Sequence, residues 1–354
     1  MNRHTRTVRA LICRGADIIT NGIRVHLSAL DYASDLLTLS VVSLAEFISG
    51  VSALSFASQA GWIGLVNILL ENGAPTETRD IYGRTRLWSA AANGQTDVVR
   101  ALVSAGADVN AQCNNGVSAL GSASEKGNTD IVNTLLDNGA RIETTDNEGR
   151  TPLWFAAANG QTDVVRELVS AGADVNRQRH GGVSALSIAS YEGYADIVNI
   201  FLETGAETDS KDNRGHTPLW YAAANGQTDV VRALASAGAD VNTQCNTGDS
   251  ALTAASHEGY NDIVNVLLDN GAQIETRDSL GRTPLWYAAA KGQTDVVRAL
   301  ASAGADVNTQ CNDGASVLSV ASQEGCTDIV NILLDNGAET EAGDNKGSHL
   351  CGSR

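Results

Sequence analysis

Glycine recurs at a fixed step. Gly50, Gly83, Gly116, Gly149, Gly182, Gly215, Gly248, Gly281, Gly314 and Gly347 follow one another at a constant step of 33, and ladders from Gly61 to Gly325 and from Gly73 to Gly337 keep the same step. Across nine units these three ladders use 27 of the 35 glycines. A period of this length admits few architectures. Each unit is one supersecondary element, too small to bury its own apolar face, and must stack on its neighbours.

The unit starting at Gly149 shows the local code. Thr151 stands where it can cap a first helix, with Pro152 in the first position, where no amide partner is lost. Leu153, Ala156 and Ala157 give a small apolar face at helical spacing, and Gly160 ends the helix. Thr162 is expected to cap a second helix, with Asp163 near its positive end and Val164, Val165, Leu168 and Val169 as the buried stripe. Gly172 stops that helix, and Ala173 to Asn176 leads into a hairpin reaching Gly182. Both helices are shorter than the ~12–15 residues an isolated helix needs, so stability must come from stacking. The expected fold is an all-α repeat solenoid of about nine helix–turn–helix units, each with a hairpin loop.

The pattern G-x-TPL-x-x-AA-x-x-G-x-x-x-VV-x-x-L-x-x-x-GADVN, as in Gly149 to Asn176 and Gly215 to Asn242, resembles the ankyrin repeat. The resemblance implies a stack with projecting hairpins that binds proteins through hairpin tips and the first-helix face. It implies no cofactor and no catalysis. It also marks Asn110, Asn176, Asn242 and Asn308 as the kind of asparagine that intracellular hydroxylases modify. The organisation expected is a partial, degenerate repeat and irregular insert over 1–49, nine repeats over 50–346, and the start of a further repeat over 347–354. Ile23 to Ile48 reads either as a degenerate helical pair shielding the first repeat or as a mispredicted coding segment. Neither end carries a clearly polar capping repeat, so a longer parent protein or an abbreviated reading frame is expected.

Two repeat types alternate, so the true unit is a double repeat. After the TPL-like triplet one type carries Trp88, Trp154, Trp220 and Trp286, whereas the other carries Ser55, Gly121, Ser187, Thr253 and Ser319. Large residues thus meet small ones across each interface, as close packing requires. Read as packing, the Trp ladder belongs to the core. Read as a ligand surface, it joins Phe155, Tyr221 and Tyr287 in an aromatic stripe for a sugar or other small molecule.

A net charge of −17 disfavours nucleic acid and anionic membranes as partners and favours proteins with a basic surface. No apolar run approaches the ~18 residues of a membrane span. Six cysteines without CxxC spacing point to an intracellular setting, cytoplasmic rather than nuclear. Cys113, Cys245 and Cys311 share one hairpin position, but the nearest two stand two repeats apart, roughly 20 Å, too far to pair. No metal site, phosphate loop or nucleophile elbow is present as a motif. Asp146-Asn-Glu-Gly149 and Asp212-Asn-Arg-Gly215 faintly resemble calcium loops, but an Asp-initiated turn explains them better.

Partner contacts are expected where otherwise similar repeats differ. On the hairpins these are Tyr82, Arg84, Asn147, Glu148, Arg150, His180, Arg214, His216, Asp249, Leu280 and Arg282. On the first-helix face they are Glu125 and Lys126, Tyr191 and Glu192, His257 and Glu258, together with Lys291, and Tyr191 and His257 are the expected anchors. The row Asn110, Glu143, Asn176, Asp209, Asn242, Glu275, Asn308 and Glu341 is a second candidate, for steering a basic ligand. The function expected is a monomeric, non-enzymatic protein-recognition scaffold, alone or as the recognition part of a larger signalling protein. Two readings stand beside it: a substrate adaptor of a ubiquitin ligase, and a small-molecule or carbohydrate binder.

Overall fold

The computed structural model describes residues 53–340 together with Asp17–Thr20 and Ile23–His26. The described residues fall into two compact units divided between Asp174 and Val175. The expected boundaries at 49/50 and 346/347 lie outside the described residues.

The first unit opens with an antiparallel pair, β1 (Asp17–Thr20) and β2 (Ile23–His26), in which Thr20 faces Ile23 and Asp17 faces His26. A helix starting at Ile23, one of the two readings of Ile23 to Ile48, is therefore not what forms over Ile23–His26. Ile18, Ile19, Thr20, Ile23 and Val25 are β-branched residues that suit a pleated ribbon better than a helix. The rest of the segment expected as a helical pair lies outside the described residues.

Four helix pairs follow in the first unit: α1 (Ala53–Ala60) with α2 (Ile63–Glu71), α3 (Arg86–Ala92) with α4 (Thr96–Ser104), α5 (Ala119–Lys126) with α6 (Thr129–Asp137), and α7 (Pro152–Ala158) with α8 (Thr162–Ser170). The second unit holds five: α9 (Ala185–Glu192) with α10 (Ala195–Glu203), α11 (Pro218–Ala224) with α12 (Thr228–Ser236), α13 (Ala251–Glu258) with α14 (Asn261–Asp269), α15 (Pro284–Ala290) with α16 (Thr294–Ser302), and α17 (Val317–Gln323) with α18 (Thr327–Asp335). Within each unit a helix packs on its partner and on its counterpart in the adjoining repeat.

First helices start as the sequence predicts. The Thr151 hydroxyl accepts the Trp154 amide at 3.1 Å, and Thr217 and Thr283 do the same for Trp220 and Trp286 at 3.2 Å. Serine takes this role in the other repeat type, as Ser118 does for the Gly121 amide at 3.1 Å. Second helices start differently. Thr162 is the first helical residue and Gln161 is the cap, with no side-chain bond to the helix amides. The Gln161 amide side chain instead donates backwards to the Glu125 carbonyl of the preceding repeat. The tight turn already engages the neighbouring backbone groups, since the Gln161 and Thr162 amides donate to Ala156 and Gly160 carbonyls.

The core is a continuous apolar layer within each unit. Leu153, Ala156, Ala157, Val164, Val165 and Leu168 are buried in the first unit, and Leu252, Ala255, Ile263, Val264 and Leu267 in the second. Among the described residues Phe201 is the largest fully enclosed side chain. At Gly121 a Cβ would meet the Phe155 ring of the next repeat at 3.6 Å, one position beyond the Trp154 of the alternating ladder.

Glycine serves two different needs. Gly248 has φ +87°, and a Cβ there would lie 2.8 Å from the Asp278 Cα of the next hairpin. Gly271 has φ +84° but open space around it. Gly271→Ala therefore costs only the left-handed strain, about 1–2 kcal/mol. Gly248→Ala adds a backbone clash and should lower the urea unfolding midpoint clearly further than Gly271→Ala does.

Candidate recognition surface

Each tryptophan-bearing repeat builds one polar and aromatic cluster on its hairpin. In the repeat of α7, Asp146 opens a turn in which its Oδ1 accepts the amides of Glu148 and Arg150 at 2.9 and 2.8 Å. Its Oδ2 accepts from Arg150 Nε at 2.8 Å, and the Asp146 side chain is almost wholly enclosed. The Arg150 guanidinium then lies over the Trp154 and Phe155 rings, 5.4 and 4.9 Å from their centres. Arg84 with Asp80, Tyr82 and Trp88 repeats the arrangement. So does Arg282 with Asp278, Trp286 and Tyr287. In the repeat of α11 the cation position is His216, stacked 3.8 Å from Trp220, with Nδ1 3.2 Å from Asp212 Oδ2.

Arg84, Arg150, His216 and Arg282, expected as residues free of structural duty, are thus engaged in their own repeats. Spacing explains it: residues four apart place the cation on the carboxylate that starts the turn, and four further on lies the indole. The same geometry covers one face of each Trp ring. The indole N–H of Trp88, Trp220 and Trp286 is also shielded from water, which removes the polar handle a sugar-binding stripe would present. The Asp-initiated turns account for the sequences that faintly resemble calcium loops.

Electrostatics follow from this packing. Burial alone would raise the Asp212 carboxyl. The Tyr221 hydroxyl at 2.7 Å and the His216 and Arg214 amides outweigh it and hold the group below the usual carboxylate range. Asp278 is likewise lowered against its burial, by the Arg282 amide, the Tyr287 hydroxyl and the Arg282 side chain. Burial, then the bond to the carboxylate, pushes the Tyr221 and Tyr287 hydroxyls well above their ordinary range.

The row of Asn, Asp and Glu expected to steer a ligand also has structural work. Asn110 donates to the Gly139 carbonyl and accepts the Arg141 amide; Asn242 does the same with Gly271 and Gln273, and Asn308 with Gly337 and Glu339. Glu143, Asp209 and Glu275 accept the amides of Asp174, Asp240 and Asp306 at 2.8–2.9 Å. These side chains satisfy the turn that ends the second helix of the next repeat. Glu341 lies outside the described residues. Asn147 is engaged in the same manner, donating to the Asn114 carbonyl at 3.0 Å.

The remaining expected contacts sort by exposure. Tyr82, Lys126, Glu148, His180, Tyr191, Glu192, Arg214, Glu258 and Lys291 are exposed. Glu125 is half-buried and pairs with Lys126 at 3.0 Å. Tyr191 sets its ring against Tyr221 of the following repeat at 6.1 Å. His257 lies 5.5 Å from Tyr287 in the equivalent place and bonds Glu258 at 2.7 Å. Of the expected residues the structure brings Asp249, His257 and Glu258 together, in a cleft of about 230 Å³ walled by Trp220, Thr253 and Tyr287. Ile81, 82% exposed beside Tyr82 at 59%, is not singled out by the sequence, because an isolated apolar residue in a turn carries no periodic signal.

A family model described as ankyrin repeats in three copies matches residues 1–113, 105–179, 186–278 and 274–344. Together with the helix pairs and hairpins, this places the chain in the ankyrin repeat family, whose members serve in general as protein–protein interaction modules. No curated protein matches the chain at a significant level. Among the described residues no cluster of side chains could hold a metal ion, and no helix is long and apolar enough to cross a membrane.

The lowered carboxylates of Asp212 and Asp278 tie stability to pH. A depressed folded value contributes stability above the unfolded value near pH 4 and loses it as pH falls through the folded one. The double variant Asp212→Asn, Asp278→Asn should melt lower than the parent at pH 7. It should lose less than the parent between pH 5 and 2, as read by circular dichroism.

Proposed function

We propose that the chain is a protein-recognition array that works by binding, without catalysis of its own. The observation that carries this is the display of apolar and aromatic side chains on rigid tips. Ile81, Tyr82 and Leu280 are 82%, 59% and 51% exposed. They sit on hairpins whose backbones are pinned to the next repeat: the Asn114 amide donates to the Tyr82 carbonyl and the Asn312 amide to the Leu280 carbonyl, both at 2.9 Å. A fixed tip binds with little ordering cost, and large exposed apolar groups mark interaction sites.

The array runs over residues 50–346 in this reading and acts as a monomer, with partners that present basic surfaces to a chain of charge −17. The thiols of Cys113, Cys245, Cys311 and Cys326 are free, which supports an intracellular setting. Tyr191 and His257 occupy equivalent places on successive repeats of one type, each against the tyrosine that follows. They are the first-helix anchors of the proposed surface.

Affinity capture from a cell extract over a salt series tests the reading. Proteins retained by the parent should elute earlier with rising salt and be lost by the Tyr191→Ala, His257→Ala double variant. That variant should change stability by no more than about 0.5 kcal/mol per site. Retention unchanged by the double substitution would remove these two residues from the surface.

A further inference from the structure

We propose that the cleft between α11, α13 and α15 is a pocket for one arginine side chain of a protein partner. In the repeat type that contains α13, the residue before the capping serine is apolar elsewhere: Val51, Val117, Val183 and Ala315. Here it is Asp249. At the equivalent places Val183 is buried and Val117 and Ala315 are half-buried, so Asp249 brings a charge to a half-buried position that is otherwise apolar. Its Oδ2 accepts from the Thr247 hydroxyl at 2.8 Å, which holds the carboxylate in place at the cleft. The Asp249 and Glu258 carboxylates both line the cleft, and together they draw a cation into it.

The lining fixes the donor's character. Asp249 and Glu258 supply negative charge, Trp220 and Tyr287 supply apolar walls, and neither lysine nor arginine is among the lining residues. The volume, about 230 Å³, falls below the ~300–1,000 Å³ of small-molecule sites and suits one side chain. A guanidinium fits better than an ammonium. It is always charged, is weakly hydrated, lies flat against aromatic walls, and its forked donors can serve a carboxylate oxygen and a second acceptor together. His257, bonded to Glu258, forms the rim where the partner's backbone would pass.

The pocket rests on the recognition reading only for the source of the arginine; its chemistry is testable alone. The probe is the blocked tripeptide acetyl-Gly-Arg-Gly-amide, titrated into the full chain and followed by amide and indole NMR shifts at Trp220, Thr253 and His257. The same peptide with lysine, or with citrulline as the neutral isostere, provides the comparison. Saturable shifts are expected with arginine, at least threefold weaker binding with lysine, and at least tenfold weaker with citrulline. Asp249→Val, which restores the residue found at positions 117 and 183, should abolish the shifts while leaving the melting temperature equal or higher. No binding of the arginine peptide, equal binding of the citrulline peptide, tighter binding of the lysine peptide, or unaltered binding by Asp249→Val would each overturn the proposal. Any of these leaves recognition through Tyr82 and Leu280 standing, whereas failure of the capture experiment with intact arginine binding would remove only the wider reading.

Discussion

Hydrogen bonds from side chains to the backbone of the adjoining repeat hold this chain in register. A helix of seven to nine residues cannot persist alone in water, and two of them packed together still expose most of their apolar face. Burial against the next repeat supplies the drive, but burial has no direction. Direction comes from Gln161 reaching the Glu125 carbonyl, Asn128 the Ala91 carbonyl, and Gln227 the Tyr191 carbonyl, each 36 or 37 residues back. The Asn110, Asn242 and Asn308 side chains close the far end of the repeat, 29 and 31 residues on. Backbone groups that a short helix leaves orphaned at its ends are thereby satisfied by a neighbour.

The same economy limits where recognition can sit. Polar residues that recur are mostly tied to this ladder or to the Asp–Arg–Trp clusters, so a variable residue is not automatically a free one. Arg150 differs from His216 at the equivalent place, yet both lean on the turn aspartate and both cover an indole. What remains for a partner are exposed side chains on a tied backbone, such as Leu280 and Ile81, and the cleft beside Asp249.

Much of this is legible in the sequence. The glycine step gives the period, and threonine before proline gives the first-helix start. Alternating Trp with Gly or Ser gives the double repeat, although the ring nearest Gly121 is that of Phe155 and not Trp154. Three things are hidden. The second-helix cap falls one position earlier than side-chain chemistry suggests, because Thr162 has the usual capping hydroxyl while Gln161 is spent on the previous repeat. Bonds that reach from one repeat into the next have no local signature, so Asn110 and Glu143 read as part of a row for steering a basic ligand. The third is the pairing of Asp17–Thr20 with Ile23–His26, whose β-branched residues the glycine period overshadows.

The alternation in the sequence predicts that neighbouring repeats are matched in alternate pairs, large against small, and not simply piled. Deleting residues 215–280 removes two repeats and preserves the alternation, whereas deleting 248–280 removes one and sets the Trp220 repeat against the Trp286 repeat. Thermal unfolding of the two shortened chains separates matching from piling. The chain lacking two repeats should melt higher than the longer chain lacking one. If instead the longer chain melts higher, as a sum over interchangeable repeats requires, the matching of large with small does not govern the fold.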